Sequence, residues 1–258
     1  LKILQFYKYQ GTGNDFVLVN DLENKLNFNQ AQIAKICHRR FGIGADGFIL
    51  LRSHPKYDFE MQYYNSDGRI SSMCGNGGRC IARFAHDMGL KNKQLHFLAV
   101  DGPHLAEVKP TQVALKMSDV NEVETASKGW FVNTGSPHYV AFAEAPEDLD
   151  LLPLARAIRY SDTYQAEGVN VNFMAWRNGA LHMRTYERGV EDETYSCGTG
   201  VTAAALVAAA AGKLKENKVA VHTKGGVLNL SFERLEKGYN NIWLTGPAEF
   251  VFKGELTL

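Results

Sequence analysis

Apolar residues along this chain come mostly in short runs bounded by Gly, Asn and Asp, the pattern of strands joined by tight turns. Phe16-Val17-Leu18-Val19 and Phe48-Ile49-Leu50-Leu51 are β-rich runs of this kind. Asp58 to Tyr64 alternates polar and apolar residues, as a half-buried strand does, and so does Leu181 to Glu187. Helical periodicity breaks in at three places. It predicts helices over about Gly77 to Met88, about Gly200 to Ala211, and Gln30 to Arg40, with Gly89 and Gly212 placed to end the first two.

The pattern repeats. Cys74-Gly75-Asn76-Gly77 and Cys197-Gly198-Thr199-Gly200 both read Cys-Gly-x-Gly, 123 residues apart, and both open onto a helix. The same offset takes Tyr63 to Tyr186, Ala82 to Ala205 and Gly89 to Gly212, and an offset of 122 takes Thr12-Gly13 to Thr134-Gly135. Two copies of one unit are therefore expected: a domain over 1–118, joined by the tail 247–258, and a domain over 119–246. Many strands with one main helix per copy predict an α+β fold. Each domain would be a curled, mostly antiparallel, barrel-like sheet around a central helix.

A cysteine just before a helix lies at the positive end of the helix dipole, which favours its thiolate. The glycines after it let backbone N–H groups approach an anion closely. Each motif so offers a base beside a carboxylate site, the pairing that proton abstraction next to a carboxylate needs. Two such motifs facing one another supply a thiolate and a thiol for opposite faces of one carbon. Cys37 and Cys80, on helix faces without a counterpart in the repeat, read as core residues.

Other chemistries fail on spacing. Cys74, Cys80 and His86 are six residues apart at each step, so on a helix they point to different faces and cannot share a zinc ion. No Cys-x-x-Cys occurs. Gly42-Ile43-Gly44-Ala45-Asp46-Gly47 matches a dinucleotide fingerprint in letters only, because it leads from a helix into a strand, and it reads as a turn. Among the 258 residues, 28 basic and 28 acidic side chains cancel, against a nucleic-acid or anionic-membrane partner. No stretch is apolar and long enough to span a bilayer. The start, Leu1 to Gln5, lacks the plan of a secretory signal, and four cysteines are too few for a disulfide scaffold, so a cytoplasmic protein is expected.

With those residues in view, nearly the whole chain resembles the diaminopimelate epimerase family. The likeness rests on Gly11-Thr12-Gly13-Asn14-Asp15-Phe16, Arg40 to Gly47, Tyr64 to Gly68, Met73 to Cys80, Gly135-Ser136-Pro137-His138, Val169-Asn170, Tyr186 to Gly189, and Cys197 to Gly200. The Cys-Gly-x-Gly pair alone is shared with proline and hydroxyproline racemases and phenazine-type isomerases. The combination of Asn14, Cys74-Gly75-Asn76-Gly77 and Glu187-Arg188 is narrower. The resemblance implies a cofactor-independent epimerase of lysine and peptidoglycan-precursor biosynthesis that interconverts LL- and meso-diaminopimelate, in a homodimer, with closure around the substrate. It implies that Cys74 and Cys197 are the acid–base pair, with His138 and Glu187 beside the reacting centre. Gly75, Asn76, Gly198 and Thr199 would hold the reacting carboxylate, and Asn14, Asn65, Asn170 and Arg188 the distal end, Glu187 also contacting substrate. This chain departs from the family pattern in carrying Gly47 for Gln and Ser136 for Asn. A proline or hydroxyproline racemase is the alternative, but it would leave Asn65, Asn170 and Arg188 nothing to bind. A non-catalytic amino-acid-binding protein is the further alternative, and it would leave the matched thiols without a purpose.

Overall fold

The computed structural model describes residues 3–71 and 73–257; Leu1 and Leu258, the expected ends of the first domain and its tail, lie outside them, as does Ser72. The chain divides into two compact units, Leu1–Leu115 with Gly246–Leu258, and Lys116–Thr245. The first contains β1 (Ile3–Gly11), β2 (Asn14–Asp21), α1 (Gln30–Cys37), β3 (Gly47–Arg52), β4 (Phe59–Asn65), α2 (Gly75–Asp87), β5 (Gln94–Ala99) and β6 (Gly102–Val108), and ends in β7 (Val113–Lys116). The second contains β8 (Glu124–Ala126), β9 (Gly129–Asn133), β10 (Pro137–Phe142), α3 (Leu151–Arg159), β11 (Asn170–Arg177), β12 (Ala180–Glu187), β13 (Asp192–Thr194), α4 (Gly198–Ala210), β14 (Lys218–Thr223), β15 (Gly226–Arg234) and β16 (Tyr239–Gly246). The last strand, β17 (Glu249–Thr257), pairs antiparallel with β1 in the first unit.

Sheet order shows the duplication. In the first unit the strands run β17, β1, β2, β3, β4, β5, β6, β7, antiparallel except for β2–β3 and β4–β5. In the second they run β8, β9, β10, β11, β12, β14, β15, β16, antiparallel except for β10–β11 and β12–β14, with β13 added beside β12. A parallel step needs a crossover, and each of the four is spanned by a helix: α1, α2, α3 and α4 in turn. Register is conserved between the copies. Phe16 stands opposite Gly47 in one, His138 opposite Asn170 in the other.

Each sheet curls around its main helix. α2 touches β1, β2, β3, β4 and β6, and α4 touches β9, β10, β11, β12, β14 and β15. The sequence of α4, Gly-Thr-Gly-Val-Thr-Ala-Ala-Ala-Leu-Val-Ala-Ala-Ala, is small or apolar all round, so every face can be buried. Val201, Leu206 and Val207 are fully buried, each contributing ~1.5–3 kcal/mol by leaving water.

Helix boundaries differ from the periodicity in informative ways. α2 and α4 begin two residues early, at Gly75 and Gly198, so that Cys74 and Cys197 are themselves the N-caps, both with extended backbone. The glycines that suggest a loop are inside the first turn because the sheet leaves little room there. A Cβ on Gly78 would lie 2.8 Å from Met73 Sδ, and one on Gly200 would lie 2.7 Å from Asn172 Oδ1. Gly89 and Gly212 take positive φ just beyond the two helices, as their positions predict. α1 stops at Cys37 rather than Arg40 because His38 turns outward and its Nδ1 accepts the N–H groups of Arg40 and Phe41. Helix α3 is absent from the periodicity, since Pro153 and exposed Leu154 blur its apolar stripe; proline is tolerated there in the first turn.

Candidate active site

In the first unit the groups around Cys74 form a connected polar cluster. The Asn14 side chain donates through Nδ2 to Asp46 Oδ2 at 2.6 Å, which fixes its amide and turns Oδ1 toward Cys74 Sγ, 3.7 Å away. Asn76, in the first turn of α2, donates to the same Oδ1 at 3.3 Å. The cluster is braced from below. Asp15 is bridged by Arg39 and by Lys8 at 2.7 Å, and Arg39 also holds Asp46. Burial raises the Asp15 carboxyl, but hydrogen bonds and charge from Arg39 and Lys8 outweigh it and hold the group at about 2.

Behind Asn76 lies Arg79, fully buried. Its guanidinium donates to Asn76 Oδ1 at 2.8 Å, Thr12 Oγ1 at 3.2 Å, Gly75 O at 3.2 Å and Pro247 O at 3.3 Å. Asn65 ends β4 on an exposed turn closed by its own carbonyl and the Gly68 N–H, and no hydrogen bond joins its side chain to this cluster. Gly47 has a steric reason: a Cβ there would lie 2.4 Å from Tyr63 Cε2 and 2.8 Å from Tyr64 O, so the Tyr63 ring fills the space that a side chain would need.

In the second unit Cys197 Sγ lies 3.4 Å from Thr199 Oγ1. Thr199 Oγ1 is 2.9 Å from His138 Nε2, and His138 Nδ1 is 3.1 Å from Asn172 Nδ2. Burial, with the charge of Arg188 adding to it, lowers the His138 imidazole to about 3, so it is neutral near pH 7. Asn170 is engaged on every side. It donates to Ser136 Oγ and Pro137 O, both at 2.9 Å, and accepts the Arg188 N–H at 2.9 Å. Ser136, the second departure, is thus held directly by Asn170. Arg188 is exposed and reaches back to Glu167 O, and Glu187 is half-buried at the end of β12.

Of the expected site residues, Cys74, Gly75, Asn76 and Asn14 come together in the first unit. In the second, Cys197, Gly198, Thr199 and His138 form one group, and Asn170 with Arg188 another. The two units use the same scaffold. Thr12 Oγ1 donates to Asn76 Oδ1 at 3.3 Å, and Thr134 Oγ1 donates to Thr199 O at 2.9 Å, so the repeated Thr-Gly turn anchors the second residue after each cysteine.

Comparison with known proteins adds the name. A model of the family described as diaminopimelate epimerase matches residues 6–123 and 130–251. The chain belongs to the diaminopimelate epimerase family. It is 47% identical to the diaminopimelate epimerase of Flavobacterium psychrophilum, over 97% of this chain and 99% of that one. It is 40% identical to that of Chlorobaculum tepidum, over 96% and 99%. The fold is shared more widely. A phenazine biosynthesis protein of the PhzF family from Bacillus anthracis superposes with a TM-score of 0.74 at 14% identity, covering 100% of both chains. A hydroxyproline epimerase from Agrobacterium vitis, solved with bound trans-4-hydroxy-L-proline, does so with a TM-score of 0.66 at 14% identity, covering 99% of this chain and 91% of that one.

Three residues in these clusters are missing from the motif reading: Arg79, Thr12 and Asn172. Arg79 is a charge inside a motif otherwise made of buried small residues. Asn172 is the second of two alternate asparagines in the apolar run Val169 to Phe173, where strand propensity disfavours asparagine. Thr12 was visible as half of a repeated pair.

Proposed function

We infer that this chain is an isomerase that epimerises diaminopimelate, interconverting the LL and meso forms, the activity of the family to which it belongs. One observation carries the mechanism: the Cys-Gly-x-Gly helix start occurs once in each unit, with a cysteine as N-cap in both. In this reading one of Cys74 and Cys197 acts as thiolate and takes the α-proton, while the other acts as thiol and returns a proton to the opposite face of the same carbon. The first-turn N–H groups of Gly75, Asn76, Gly198 and Thr199 hold the carboxylate on which negative charge develops. Asn14, Asn65, Asn170, Glu187 and Arg188 recognise the rest of the substrate, and the neutral His138 tunes a thiol rather than binding an anion.

The test is incubation in deuterium oxide with LL-diaminopimelate, and with proline in parallel. Deuterium at the α-carbon with formation of the meso form is expected from the first substrate alone. Exchange into proline only, or into neither, would overturn the assignment. The same reading places the enzyme in the cytoplasm as a homodimer. The exposed Phe250, Val251 and Phe252 of β17 support the dimer, and a monomer by light scattering at micromolar concentration would refute it.

A further inference from the structure

The hydrogen bonds behind Cys197 have a direction that can be read from groups able to play one role only. The Tyr139 carbonyl can only accept, and Asn172 Nδ2 lies 3.0 Å from it, which fixes the orientation of the Asn172 amide. Thr185 Oγ1 donates to Asn172 Oδ1 at 2.9 Å, consistent with that orientation. The second hydrogen of Nδ2 therefore points at His138 Nδ1, which must be an acceptor without a proton of its own. A neutral imidazole then carries its hydrogen on Nε2 and donates it to Thr199 Oγ1. With its oxygen accepting from His138, the Thr199 hydroxyl is left to donate to Cys197 Sγ.

We propose that Asn172 is a positioning residue: by fixing the Nε2–H tautomer of His138 it aims the Thr199 hydroxyl at Cys197 and favours the thiolate there. A hydrogen bond donated to the charged form stabilises that form. The low proton affinity of the buried imidazole fits the same picture, because protonation would put a second donor against Asn172 Nδ2. The charged side chains that close the neighbouring strand β12 are Glu187 and Arg188, and the substitutions below leave both in place.

The duplicated fold supplies the control. At the matching strand positions the first unit carries Phe16 and Ile49, whose side chains pack beside Gly77 where Asn172 packs beside Gly200. The same backbone thus folds around an apolar pair in one copy and around a buried His–Asn pair in the other. Packing alone does not call for the polar chain, and burying it has a cost that its hydrogen bonds only offset. At Cys74 the neighbouring Asn14 Oδ1 is an acceptor, which suits a thiol.

The inference rests on reading Cys197 as an acid–base group, and its tests use no turnover. Nitrogen-15 NMR of histidine-labelled native protein should show His138 as the Nε2–H tautomer near pH 7; the Nδ1–H tautomer or an imidazolium would overturn the proposal without any variant. The pH profile of Cys197 alkylation, resolved from the other cysteines by peptide mass mapping, gives its apparent pKa. Asn172→Leu and Thr199→Val should each raise that value by roughly one unit, about tenfold less thiolate below the pKa, and the double variant should go no further. Thr199→Ser, which restores the hydroxyl, should restore the parental profile. An unchanged profile in Thr199→Val would sink the relay even if Asn172→Leu failed to fold. If instead the profiles shift as expected while Cys197→Ala still epimerises, the relay stands and the role of the thiol falls.

Discussion

Cys74→Ser and Cys197→Ser should each lose net epimerisation by about a thousandfold or more, within the range general acid–base groups contribute. Serine keeps the shape, but its hydroxyl is far too weak an acid to stand as an anion near neutral pH. The fold should survive the change. Both cysteines are helix N-caps whose side chains make no cap hydrogen bond, so removing the sulfur leaves no orphaned backbone N–H that the parent satisfied. Circular dichroism of the variants should therefore match the parent. The expected loss is one-sided in a way that assigns roles. Where the remaining cysteine is the base for a given stereoisomer, deuterium should still exchange at the α-carbon without inversion; where it is the acid, exchange should stop too. Cys74→Ser and Cys197→Ser should then show opposite preferences between LL- and meso-diaminopimelate. Near-parental turnover by either variant would rule out the two-thiol mechanism.

Much of this was legible in the chain because duplication turns weak signals into strong ones. A single Cys-Gly-x-Gly is a short motif; two at a fixed offset, each ahead of a helix, constrain topology and chemistry together. The strands were legible for the ordinary reason, alternation between turn residues. The misses have physical causes. Glycine at a helix start reads as loop by propensity, yet Gly75 and Gly198 are the first helical residues, since the sheet presses against the turn and only small residues fit. That moved the cysteines from near the dipole to its end. α3 was hidden by Pro153, although it occupies the place in the second unit that α1 occupies in the first. The repeat itself could have exposed it.

The site was less legible than the scaffold, because motif letters do not say which polar atoms are already spoken for. Asn170 reads as a substrate ligand, but its oxygen and its nitrogen are both occupied by neighbours, which makes it the tie between the Ser136-Pro137 turn and Arg188. Gly47 reads as a lost contact, and the structure shows the Tyr63 ring in that space. Asn172 carries no motif at all, and its importance lies in a hydrogen-bond direction that only three-dimensional partners define.

Arg79→Met should destabilise the protein by about 3 kcal/mol, seen as a fall in melting temperature of roughly 6–12 °C for a chain of this size. Arg79 is fully buried, and burial lowers the proton affinity of its guanidinium, so the charge is held at a cost. What offsets that cost is the set of four acceptors from three parts of the first unit: Thr12 after β1, Gly75 and Asn76 at the start of α2, and Pro247 ahead of β17. Methionine fills the volume but leaves these acceptors without that donor in a buried site. The second unit shows which part of the task needs the guanidinium. At the matching position Thr202 Oγ1 donates to Gly198 O at 3.0 Å, as Arg79 does to Gly75 O, so a hydroxyl is enough for that carbonyl. Only the first unit has a returning tail to tie down and an amide oxygen at Asn76 to hold, and a planar fork with five donors reaches both at once. Arg79→Lys, with one nitrogen for four separated acceptors, should therefore fall between methionine and the parent. Thermal and urea unfolding would rank the three. A methionine variant as stable as the parent, or more so, would mean that desolvation of the guanidinium outweighs its hydrogen bonds, and that Arg79 does not hold the tail to the helix start.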